Sequence, residues 1–239
     1  KPFSYITSDV KGKLLPDFFG NQYLVTFTCE LTRWTCVYFC SKKSQVKEKF
    51  KEYLLWVQRQ GYKVNNLTTD GGGEYTSGEN AQILSDFQKI CESQNIRHRF
   101  TSPNTAAQNG ISERLNRTLI TAAKSILHEA ALSRDFWTLA VRHVVWIKNR
   151  VWHSKLKIPG GSGISPFQVL YGRPPKVAMI RVFGCDAWAL DHSVPKGSMQ
   201  PKGKKMNVGM SANRKGWLLF DSKSRKLRIL RFTATLMRR

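Results

Sequence analysis

The sequence predicts an α/β fold: a mixed five-stranded sheet with flanking helices, followed by a small, basic, β-barrel-like (SH3-like) module. Three observations carry that expectation. The first hundred residues alternate short β-rich runs with helical stretches in the order β-β-β-α-β-α-β. Two long amphipathic segments follow. From Arg181 onward the pattern changes to short alternating runs broken by Gly, Pro and Lys.

Tyr5 to Val10, Tyr23 to Cys29 and Thr35 to Ser41 are rich in β-branched and aromatic residues. Turn material separates them: Gly12, Pro16 and Gly20-Asn21, then Glu30 to Trp34. Links this short favour an antiparallel meander. Ser44 to Gln60 reads as a helix, because Val46, Phe50, Leu54 and Val57 recur at helical spacing among Lys and Glu, and Gly61 stops it. Val64 to Thr69 is a fourth strand, leading into Asp70. Glu79 to Ser93 is helical with Ile83, Phe87 and Ile90 on one face, and Ile96 to Thr101 is a fifth strand.

A long helix begins near Ala106 and carries Ile111, Leu115, Leu119, Ala123, Ile126 and Leu127. Another runs from Ser133 to Trp152, started by Ser133 and Asp135. This order is that of the ribonuclease H-like fold. Further on, Trp217 to Phe220 and Leu227 to Phe232 flank Asp221 to Ser224 as a β-hairpin. The division expected is a core over residues 1–155, a connecting segment over 156–180 with joints at Gly160 to Gly163 and Gly172 to Pro175, and the basic β module over 181–239.

Charge narrows the partners. With 39 basic and 16 acidic residues among 239, the formal net charge is +23 and the pI is about 10.2. That balance is the footprint of a polyanion binder. The excess is concentrated: from Pro195 to the end there are thirteen Lys and Arg against the single acid Asp221. Such a module would track phosphates with steep salt dependence, and Lys202, Lys204, Lys205, Arg214 and Lys215 are its candidate DNA contacts. No apolar run is long enough to span a membrane, and no secretory signal is visible, so no membrane partner is expected. The opening residues lack a Met and enter a strand almost at once, as expected of a portion of a longer protein.

The five cysteines form no Cys-x-x-Cys pair, and the five histidines include no pair at zinc-ligand spacing. No zinc site is expected in this stretch, and the thiols read as reduced, small apolar groups. The three Trp of the second long segment, Trp137, Trp146 and Trp152, read as core or a self-association face rather than as a base-stacking platform.

Carboxylates carry the chemistry. Asp9 ends the first strand, Asp70 ends the fourth, which in this fold lies beside the first, and Glu113 sits near the start of the long helix crossing that sheet edge. An aspartate after a strand is usually a turn residue. Three acids in this fold order instead suit phosphoryl transfer with two Mg²⁺ or Mn²⁺ ions, hard cations that prefer oxygen ligands. Gly71-Gly72-Gly73, lacking side chains, would let a nucleic-acid backbone approach closely. Arg114 and Arg117 flank Glu113 and can project toward DNA, and Asn109 and Asn116 offer hydrogen bonds to sugar, phosphate or base. A solvated helix face and a plain Asn-Gly turn are the simpler alternatives for these four.

Thr69-Asp70, Gly72-Gly73 and Glu74-Tyr75 resemble the Ser/Thr-Asp-x-Gly-Gly-Glu-Tyr/Phe pattern of copia-type retrotransposon integrases. Ser102-Pro103, Thr105, Gln108-Asn109-Gly110, Glu113-Arg114 and Asn116-Arg117-Thr118 match the pattern around the glutamate of the same family. Ser165-Pro166-Phe167, Tyr171-Gly172-Arg173-Pro174, Arg181-Val182-Phe183-Gly184-Cys185 and Lys215-Gly216-Trp217 resemble marks downstream of its core. Asn104 and Ala106 depart from the aromatic and the Pro usual there, which bears on the rigidity of that loop.

The resemblance implies integration of retrotransposon DNA. Asp9, Asp70 and Glu113 would be the catalytic metal ligands, with Glu74 in a structural role. The 3′-OH of the element's DNA would join to target DNA, with optional trimming of the ends. It further implies a homo-multimer holding two DNA ends and target DNA, acting in the nucleus after passage through a virus-like particle and the cytoplasm. The family's zinc-binding domain is not in this sequence. The alternatives are a domesticated, non-catalytic DNA- or chromatin-binding protein that keeps the fold, and a nuclease that cuts without joining.

Overall fold

Six of the seven residues of β2 (Tyr23–Cys29) are buried, which a strand reaches only in a sheet covered on both faces. The computed structural model describes residues 1–70, 86–100, 106–157, 163–189, 203–211, 216–222, 224–230 and 235–236. β2 pairs antiparallel with β1 (Tyr5–Lys11) and β3 (Thr35–Cys40), the expected meander. β4 (Asn66–Thr69) and β5 (Arg97–Phe100) add in parallel, giving the order β3-β2-β1-β4-β5.

Strand alternation sorts this sheet's side chains into two cores. On one face Ile6, Val25, Phe27 and Cys29 meet α1 (Val46–Arg59) and α2 (Asp86–Ser93). There Phe27 stacks on Tyr53 with ring centroids 4.5 Å apart, and Phe50 stacks on Phe87 at 4.7 Å. On the other face Leu24 and Phe39 meet α3 (Ala106–Glu129) and α4 (Trp137–Lys148), which pack together through Leu119, Ala123, Ala140 and Val141.

Only Asp86–Ser93 of the helix expected from Glu79 falls within the described residues. The second long helix is shorter than its apolar pattern. A 3₁₀ turn at Arg134–Phe136 opens it and it ends at Lys148. The Asn149 amide stops it by pairing with the backbone of edge strand β3, accepting from Thr35 N at 3.0 Å and donating to Thr35 O at 2.8 Å. Trp152, beyond that stop, is exposed, whereas Trp137 is buried and donates to Leu15 O. The short α5 (Pro166–Tyr171) forms where the sequence shows only the Ser165-Pro166-Phe167 motif. Its signal was present: Ser165 and Gln168 form a capping box, Pro166 opens the helix, and Gly172 closes it at φ +66°.

The C-terminal β strands form a second antiparallel sheet in the order β10-β6-β7-β8-β9, from β6 (Asp186–Ala189), β7 (Gly203–Met210), β8 (Trp217–Asp221), β9 (Lys226–Leu230) and β10 (Thr235–Leu236). β8 and β9 are the expected hairpin. This sheet seats on α4: Phe183, Val208 and Phe220 join the core of α3 and α4, with Phe220 edge-on to Phe136 at 4.9 Å. All five cysteines are free, and burial pushes the Cys36 and Cys91 thiols up to about 12, consistent with packing roles. No helix among the described residues is long and apolar enough to cross a membrane.

Candidate active site

Parallel pairing of β1 with β4 matches Thr7 to Thr68. Two residues further along both strands, the same register sets Asp9 beside Asp70 on one sheet face, with neighbouring strands about 4.8 Å apart. Asp9 is half-buried and lies opposite Thr26 of β2, whose hydroxyl donates to the Asp9 carbonyl at 3.3 Å. Burial first, and then the Asp70 charge, hold the Asp9 carboxyl above its ordinary value, and the Glu113 charge adds to this. Hydrogen bonds from the Val10 backbone and the Asn116 side chain work against the rise.

α3 crosses β1 on this same face. Asn116 is buried within it and donates Nδ2 to Asp9 Oδ2 at 2.8 Å. The sequence placed Asn116 among the DNA contacts; the structure commits its amide to Asp9. Because the carboxylate must be held against its own burial and a neighbouring charge, this bond orients it. Asn116→Ala is expected to raise the Asp9 carboxyl further above its ordinary value, because a bond favouring the ionised form is gone. An NMR titration of the carboxylates as a function of pH, with its acid limb displaced to higher pH in the variant, checks this. An unchanged limb would show that the bond plays no part.

Glu113 lies one helical turn before Asn116 and is exposed. Its charge reaches Asp9, yet among the described residues no three His, Cys, Asp or Glu side chains close into a group that could hold a metal. The two aspartates are therefore brought together, and the glutamate stands at the rim. Arg114 and Arg117 are both exposed on α3 beside it.

His98 carried no role in the sequence reading beyond the zinc count. Its Nε2 is 2.9 Å from the Thr69 hydroxyl, at the root of Asp70, and its ring lies against Phe87 and Phe100. Burial pushes the imidazole down to about 4, so a neutral ring braces the end of β4. Only the pairing of β4 with β5 reveals this.

Several expected site features lie outside the described residues: Gly71-Gly72-Gly73, Glu74 and Tyr75, the segment Ser102 to Thr105, and Lys202, Arg214 and Lys215. Asn109 falls on α3 and Lys204 on β7, but their side chains are also outside them. Lys205 is a correction. It is buried and gives its Nζ to Asp221 Oδ2 at 2.5 Å, holding that carboxyl well below the usual range, so its ammonium is committed within the second sheet rather than to a phosphate.

Residues 1–106 match the integrase core domain family. The chain is 36% identical over 193 residues to the retrovirus-related Pol polyprotein from transposon TNT 1-94 of Nicotiana tabacum, covering 80% of this chain and 13% of that protein. It is 30% identical over 205 residues to the Pol polyprotein from transposon RE2 of Arabidopsis thaliana, covering 85% of this chain and again 13% of the relative. The chain thus spans only about an eighth of these curated relatives. A chain in the cryo-electron microscopy structure of a simian T-cell lymphotropic virus intasome, in complex with the PP2A regulatory subunit B56 gamma, has the same fold. It superposes with a TM-score of 0.53 at 16% identity, over 97% of this chain and 77% of that one.

Proposed function

Because this chain belongs to the integrase family of copia-type retrotransposon Pol polyproteins, we propose that it inserts an element's DNA into target DNA by phosphoryl transfer. The observation that carries the proposal is the parallel register of β1 on β4, which sets Asp9 level with Asp70 just past the end of β4, with Asn116 bonded to the first. Two crowded carboxylates, one held above its ordinary value by burial and by the other's charge, are a donor set that a hard divalent cation would relieve. Asp9 and Asp70, with Glu113 at the rim, would hold Mg²⁺ or Mn²⁺. Bound there, such ions supply Lewis acidity to the reacting phosphate.

The chain's own residues then bind and orient. Asn116 fixes the Asp9 carboxylate, and His98 braces the strand end that presents Asp70. Arg114 and Arg117 offer fixed cations to the DNA backbone beside Glu113. In the reaction proposed, the 3′-OH of the element's end attacks a target phosphodiester. A new phosphorus–oxygen bond forms as the target strand's own 3′ oxygen leaves. Residues 181–239 are taken as a second DNA-binding unit, and the working form as a homo-multimer in the nucleus.

A second reading has one observation in its favour. Glu113 stands exposed rather than closed against the aspartates, as in a DNA- or chromatin-binding protein that retains the fold without the chemistry. Joining of a labelled element-end duplex to plasmid DNA, with Mg²⁺ or Mn²⁺, separates the two. The chain is expected to join ends and Glu113→Gln to lose that activity. Joining undiminished in the variant would remove Glu113 from the site. Binding without joining by either protein would favour the second reading, and cleavage without joining would indicate a nuclease.

A further inference from the structure

On the sheet face that carries Asp9 and Asp70, the strand registers extend the site into a ladder. Tyr5 of β1 pairs with Asn66 of β4, which pairs with Arg97 of β5; one step up, Thr7 pairs with Thr68 and Thr68 with Arg99. One step further are the two aspartates. Alternation puts all of these side chains on a single face. The opposite face is identified by Ile6, Leu67 and His98, which lie against the α1 and α2 side.

α3 packs on β1 at the Asp9 level, but the lower rows stay open to solvent. Tyr5 is 53% exposed, Arg97 and Arg99 are exposed, and Asn66 and Thr68 are half-buried. At the far end the ladder runs into a cavity of about 560 Å³, lined by Tyr5, Asn65, Asn66, Asn95 and Arg97 with Glu92. Neither of the two lower rows contains an acid. Their side chains are hydrogen-bond donors, amides and guanidinium groups, beginning immediately below two carboxylates.

We propose that this uncovered half of the sheet is the track along which a DNA strand runs from the aspartates, with Arg97 and Arg99 as its phosphate contacts. The identity of the occupant rests on the integrase reading. The charge argues for it: two arginines on one strand, two residues or about 6.6 Å apart, can neutralise separate phosphates. The hydroxyls and amides of Thr7, Thr68 and Asn66 supply neutral contacts to the same backbone. A rival explanation is that the arginines only guard β5, an edge strand, against pairing with other chains. Such guards would not contribute to DNA affinity.

The test is binding of the full chain to a fluorescently labelled DNA duplex across a range of salt concentrations. Arg97→Ala/Arg99→Ala is expected to reduce the log–log salt slope by about 1–2, while Lys51→Ala/Arg59→Ala, exposed on α1 across the sheet, leaves it unchanged. Melting temperatures of both variants should match that of the parent. A wild-type slope in the first variant overturns the track. So does an equal fall in both, since total charge alone would then account for binding. A parent chain that binds no DNA overturns it as well. A parent that binds with the expected slope yet joins no ends sinks the integrase reading and leaves the track standing.

Discussion

Asp9→Asn is expected to abolish DNA joining while making the metal-free protein more stable. Removing a partner of a metal ligand already costs about 10–100-fold. Losing the ligand itself should lower joining by more than about 100-fold on the same scale. The gain in stability follows from the sign of the Asp9 shift. Its carboxyl binds a proton more tightly folded than unfolded, because burial and Asp70 both oppose its charge. Below the ordinary carboxylate value, near 3.8, both states are protonated and nothing is lost. As pH rises above it the unfolded chain ionises freely, and the folded chain does so only at a cost, which persists at neutral pH. Asparagine removes that charge, keeps the size and can still accept from Asn116.

Thermal unfolding with and without Mg²⁺ or Mn²⁺ checks this independently of activity. The parent should gain stability with the cation, by about 2.7 kcal/mol at a hundredfold excess over its Kd. Asp9→Asn should start higher and gain little. A variant less stable than the parent without metal would show that Asp9 is favourably paired, and the proposed donor set would fall.

Gly184→Ala should lose far more stability than the same change at Gly172. Gly184 has φ +78°, and its N–H donates to Asn207 O at 2.7 Å where the chain turns from Val182-Phe183 into the second sheet. An added Cβ would run into Ala130 at the end of α3. Left-handed strain and overpacking together amount to about 2–5 kcal/mol. For a chain of this size that corresponds to a fall in melting temperature of roughly 5–15 °C. Gly172→Ala is the comparison: φ is +66° but nothing lies within 4 Å of the new methyl, so only the strain of about 1 kcal/mol remains. Equal losses in the two variants would mean that contact with Ala130 plays no part in joining the second sheet to the core.

Much of the fold and part of the candidate site are legible in the chain itself. The Arg181-Val182-Phe183-Gly184-Cys185 mark singled out Gly184, but its reason, a left-handed turn against Ala130, needed α3 and β7 in place. Asp9 and Asp70 could be set side by side from strand order. Asn116 looked like a DNA contact because it follows an exposed Glu-Arg pair on a helix, and only the depth of α3 on β1 turns it to Asp9. Lys205 looked like one more cation in a basic module. Its burial against Asp221 depends on β7 lying beside β8, sixteen residues away.

The succession of strands and helices, the cationic character and the candidate acids could all be read along the chain. Periodicity, turn residues and charge are local properties, and each element declares them within its own length. Packing between distant segments set which polar groups face one another. It stopped α4 at Asn149, gave His98 its bond to Thr69, and brought Arg97 and Arg99 onto the face of the aspartates. Those outcomes depend on register and packing depth between segments distant in the chain. A shift of one residue would move a strand's side chains to the opposite face without changing its local pattern.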